Sequence, residues 1–166
     1  MMKSLTDSGK QFIFNSMSAT LKNVLEMIKS NPKWVHISGH AESDGFESSL
    51  IFEKETTREA EKISQNTLRE ILRDATKFKP ELVFVATCHG FPFAEIFLEA
   101  GAEHVIVVDK DQDLLDDVAI EFTKSLYSKL TSPGKICDFF QQSKSDCKTL
   151  YKSQPQEVDR LKLFVG

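Results

Sequence analysis

The stretch "VFVATCHG", Val83 to Gly90, is a continuous apolar run that breaks off onto a thiol, an imidazole and a glycine. A thiol is only a few per cent thiolate at neutral pH, so a nucleophilic cysteine needs an imidazole or a helix N-terminus to hold its anion. Cys88 has candidates for both: His40 upstream, and a helix opening near Pro92 downstream. Acidic residues cluster at similar positions, with Glu42 and Asp44 after His40, and Asp109 and Asp111 after the run "HVIVV". The ordinary role of such acids is to solvate loops and complement helix dipoles. The sharper reading is that they line a pocket for a substrate side chain, with a preference for a cationic or polar group.

The other candidates read as structural. His36 alternates within a strand-like run, His104 opens another, Cys147 lies on an apolar helix stripe, and Cys137 flanks that stripe. His89 reads as a residue lining the cleft rather than as the base. A metal set of His40, Cys88 and His89 lacks ligand spacing, so no metal is expected. No GxGxxG or GxxxxGK[ST] follows a strand, so no nucleotide cofactor is expected either.

These residues need elements to position them, and the hydropathy pattern supplies an alternation. Met17, Leu21, Val24, Leu25 and Ile28 mark a helix face that stops before Asn31-Pro32. "WVHIS" (34–38) reads as a strand, "GHAESDGFES" as a polar loop, "SLIFE" (49–53) as a short strand and "EKETTREAEK" as a solvated connector. Leu68, Ile71, Leu72 and Ala75 form a second helix face, and "LVFVA" (82–86) has the continuous apolar character of a central strand. A short helix with Pro92 in its first turn, the strand "HVIVVD", and two long helices over Leu115–Leu126 and Ile136–Tyr151 follow. "LKLFV" reads as a last strand. Such alternation predicts an α/β fold, a mostly parallel sheet with helices on both faces. The working crevice of such sheets lies at the carboxyl ends of the strands, where His40, Cys88 and Asp109 fall.

At 166 residues with a net charge of −4, the chain reads as one domain with no global attraction to nucleic acid or an anionic membrane. No apolar run reaches the roughly 18 residues that span a bilayer, and the first residues lack a signal-peptide core. An odd number of cysteines without CxxC spacing predicts thiols in a reducing, cytoplasmic setting.

The blocks "SATLKNVLEMIKSNPKWVHISGH", "SLIFE", "LVFVATCHG", "EIFLEAGAEHVIVV", "DDVAIEFTKSLYSKLTSPG" and "LKLFVG" together resemble a caspase-like CHAT domain, of the clan of caspases, metacaspases and separases. His40 precedes Cys88 by about 50 residues, similar to the caspase spacing. The resemblance runs over residues 18–166, leaving 1–17 as a short N-terminal extension without the extra strands of longer relatives. It implies a three-layer caspase-like sandwich and a cysteine endopeptidase acting on a protein or peptide substrate. By the same resemblance His40 is the general base or acid, Cys88 the nucleophile, and the backbone N–H groups of Ala41 and Cys88 the oxyanion donors. Two positions depart from the pattern: Ala41 stands where the family has glycine, and Ala86 where metacaspases carry an aspartate. The alternative is a catalytically silent domain of the same fold that serves as an interaction or signalling module, with a regulatory protein as partner. A third reading is a flavodoxin-like ligand-binding domain in which the His/Cys pairing is accidental.

Overall fold

The computed structural model describes residues 2–7, 10–109 and 114–166. They divide into two compact units, one of Ala19–Leu114 with Arg160–Gly166, the other of Met1–Ser18 with Leu115–Asp159.

The larger unit is built on a four-stranded sheet. Its strands are those of the unbroken apolar runs, where β-branched residues favour extended backbone. Numbering along the whole chain, these are β3 (Trp34–Ser38), β7 (Leu82–Ala86), β8 (His104–Val108) and β9 (Leu161–Val165), in the order β3-β7-β8-β9. The first three are mutually parallel and β9 runs antiparallel to β8. Val85 lies level with Ile37 on one side and Val107 on the other. Val83, Val85, Val105 and Val107 are fully buried in a core shared with α1 (Leu21–Ser30), α2 (Gln65–Arg73) and α3 (Phe93–Glu99). Thr20 starts α1 by accepting the Asn23 N–H, and Ser64 starts α2 by accepting that of Thr67. Met17 therefore lies before the first helix and Ala75 beyond the second.

The polar stretch after β3 is not the loop its composition predicts. It forms a second sheet of β4 (His40–Ser43), β5 (Ser48–Glu53) and β6 (Ala60–Ser64), antiparallel and in that order. Leu50, Phe52 and Ile63 belong to the same core. The connector reading of "EKETTREAEK" is corrected at its ends, since Glu53 closes β5 and Ala60 to Lys62 open β6.

In the smaller unit α4 (Asp116–Leu130) packs on α5 (Ile136–Leu150), with the Phe122 and Phe140 rings edge to face at 5.7 Å. Asp159, which closes α6 (Pro155–Asp159), takes ion pairs from Lys144 and Lys148 of α5. The segment before Ser18 is not strandless: β1 (Met2–Asp7) and β2 (Lys10–Asn15) pair as an antiparallel hairpin.

Truncating a fully buried side chain loses its transfer energy and leaves a void. Val85→Ala should therefore cost about 1–3 kcal/mol, read as a lower denaturant midpoint at unchanged slope.

Candidate functional site

The carboxyl ends of β3 and β7 form the rim to which the sequence assigned its chemistry. Ser38 and Ala86 are the last paired residues of the two strands, and His40 and Cys88 each stand two residues beyond that pair. The structure thus brings both to one end of one pair of adjacent strands. At His40 the chain has already left the main sheet, because His40 begins β4 opposite Ile51 and is exposed. Cys88 is half-buried in the turn between β7 and α3.

That turn is tight. His89 has φ of 55°, the left-handed region that non-glycine residues seldom adopt. The special conformation falls on His89 rather than on Gly90, which is needed for a different reason. A Cβ at Gly90 would stand 3.0 Å from the Thr87 carbonyl oxygen, 3.1 Å from Thr87 Oγ1 and 3.3 Å from the Val85 carbonyl oxygen. The turn therefore closes over its own first residue. Because His89 is left-handed, strand alternation does not decide which way its side chain faces.

Ala41 sits on β4, the edge strand of its sheet, opposite Leu50. The Asp44 N–H donates to the Glu47 carbonyl at 3.2 Å, which makes that pair a hydrogen-bonded one. Antiparallel pairs alternate, so Glu42/Ser49 and His40/Ile51 are hydrogen-bonded pairs and Ala41/Leu50 is not. The Ala41 N–H consequently points away from β5.

The acidic residues are already engaged. Glu42 pairs with Lys62 at 2.6 Å, and Asp109 with Lys162 at 3.2 Å. Asp44 caps its own turn: Oδ1 accepts the N–H of Phe46 at 2.9 Å and of Glu47 at 2.8 Å, while Gly45 takes φ of 89°. Those backbone donors, Glu47 first and then Phe46, hold the Asp44 carboxyl below its ordinary value. Each of these carboxylates thus has one oxygen committed within the fold. Asp111 lies outside the described residues.

The remaining histidines are used by the fold, His36 stacking on Phe84 at 4.7 Å and His104 Nδ1 lying 3.1 Å from the Glu81 carbonyl oxygen. Cys147 is fully buried, and burial pushes its thiol up to about 11. Among the described residues no three His, Cys, Asp or Glu side chains gather as a metal ion would require, and no helix is long and apolar enough to cross a membrane. Sequence reasoning passed over Thr87, whose polar side chain at the end of an apolar strand is the signal that could have singled it out. It also passed over the β4–β5 hairpin, which the Asp44-Gly45 dipeptide announces.

An α/β chain with a mixed, mostly parallel sheet and a histidine and cysteine past adjacent strand ends is consistent with the caspase-like sandwich. The family model of the CHAT domain matches residues 1–155, and the chain belongs to that caspase-like family. A comparison with curated proteins returned no significant match.

Two measurements follow. Cys88 should be alkylated by iodoacetamide near neutral pH well before Cys147, which should label only on unfolding. Mass-spectrometric mapping over time reads both, and early labelling of Cys147 would contradict its burial. The Asp44 carboxyl, depressed in the folded state, stabilises the turn above the unfolded carboxylate range near 4 and stops doing so as pH falls through its folded value. Asp44→Ala should remove that acid-side step from the stability profile, whereas Asp44→Asn, which keeps an acceptor, should retain most of the stability at neutral pH.

Proposed function

We propose that the domain is a cysteine endopeptidase with a His40–Cys88 dyad. The observation that carries the reading is the shared offset of the two residues from the Ser38–Ala86 pair on adjacent parallel strands. The family supports it, since CHAT domains are caspase-like. In this reaction the Cys88 sulfur bonds to the carbonyl carbon of a peptide, and the resulting oxyanion accepts hydrogen bonds from the N–H groups of Ala41 and Cys88. The outward direction of the Ala41 N–H suits that part. His40 takes the thiol proton as the sulfur attacks and delivers it to the leaving amine as the C–N bond breaks. It then takes a proton from water, whose oxygen attacks the thioester, releasing a carboxylate and restoring the thiol.

A second reading, a silent interaction module of the same fold, draws on Phe46. This side chain is fully exposed at the hairpin tip, on a turn stiffened by the Asp44 cap, a form suited to anchoring a partner.

The two readings separate on Cys88→Ala and His40→Ala. Each should abolish cleavage of a mixed peptide library by the parent while melting within a degree or two of it, because both residues lie past strand ends. The double variant should lose no more than either single one, since the pair acts as a unit. A parent that cleaves nothing, together with a Cys88→Ala variant that melts markedly lower, would assign Cys88 to packing and the domain to the silent class.

A further inference from the structure

The residue before Cys88 has a side chain that folding alone does not account for. Thr87 is 3% exposed, and its hydroxyl has no hydrogen-bond partner. Burying a hydroxyl unpaired forfeits its hydration with nothing in return, and valine offers nearly the same shape without that loss. The same turn carries a second uncompensated feature, the left-handed His89. Unpaired buried groups and strained backbone concentrate where function holds them against stability.

Cys88 and His89 form a turn that directs the Gly90 N–H back toward Thr87. Thr87 Oγ1 lies 3.1 Å from where a Gly90 Cβ would stand, so the hydroxyl already faces the Gly90 backbone. Threonine oxygens commonly accept from backbone N–H groups two or three residues on, closing a small turn. We infer that Thr87 is a positioning residue for Cys88. As the thiol ionises, the turn tightens and Thr87 Oγ1 accepts the Gly90 N–H. Cys88, held between the two, is then locked against His40. The resting turn keeps donor and acceptor apart. This inference rests on the reading of Cys88 as a nucleophile, and adds to it a hydroxyl that touches no substrate.

The test compares Thr87→Val, Thr87→Ser and the parent, all as the full chain. Cys88 alkylation by iodoacetamide is followed against pH, with Cys137 of the same molecule as internal reference and a melting curve for each protein. Thr87→Val should melt at or above the parent, yet Cys88 should label about tenfold more slowly at neutral pH. Its rate profile should move to higher pH while the Cys137 rate stays unchanged. Thr87→Ser should label like the parent. Parental labelling in Thr87→Val, slow labelling in Thr87→Ser, or a Thr87→Val that melts lower would each overturn the inference and leave the nucleophile in place. A parent Cys88 no faster than Cys137 would overturn the nucleophile reading, and this inference with it.

Discussion

The register between β3 and β7 is the constraint on which the rest of the larger unit depends. Val83 and Val85 point into the core with Val105 and Val107 of the next strand, and all four are fully buried. A slip of one residue would exchange the two faces of a strand and set those valines where Phe84 and Ile106 now pack, undoing the fit on both sides of the sheet, so close packing pins the pairing. With the pairing pinned, the positions just past the strand ends are set as well. His40 and Cys88 owe their common rim to valines that take no part in any chemistry there.

What happens beyond the rim is governed by hydrogen bonds and backbone rather than by burial. The Asp44 cap and Gly45 turn β4 back into β5, and the resulting ladder alternation directs the Ala41 N–H outward. After β7 the chain has four residues between Val85 and the Gly90 that packs on its carbonyl oxygen, and it closes that turn through a left-handed His89. The first turn is fully satisfied and the second is not. A capped turn follows β4 and a strained one follows β7.

How much of this was legible depended on how strongly a segment is buried. Leu82–Val85 and Val105–Val108 are buried throughout, and their unbroken apolar runs announced them as strands. β4 is an edge strand whose side chains are mostly exposed, so it carries no period-two signal and its polar residues read as a loop. β6 has the same difficulty, with Ile63 its one buried side chain. The antiparallel course of β9 was not readable, since composition does not encode strand direction. At the site, residue types and strand ends were enough to select His40 and Cys88. The engagement of Glu42 and Asp109 by lysines was not, because Lys62 and Lys162 become their neighbours only through pairing of distant segments.

Gly39 separates two pieces of architecture. On one side of it β3 shares a sheet with the strand that leads to Cys88; on the other, His40 and Ala41 belong to the β4–β5–β6 sheet. Nothing lies within 4 Å of where a Gly39 side chain would begin. The imidazole and the thiol are mounted like the two jaws of a caliper, one on β4 and one just past β7. Displacements of about 1 Å change reaction rates by about a hundredfold. The presence of both residues in a relative therefore does not by itself report its activity.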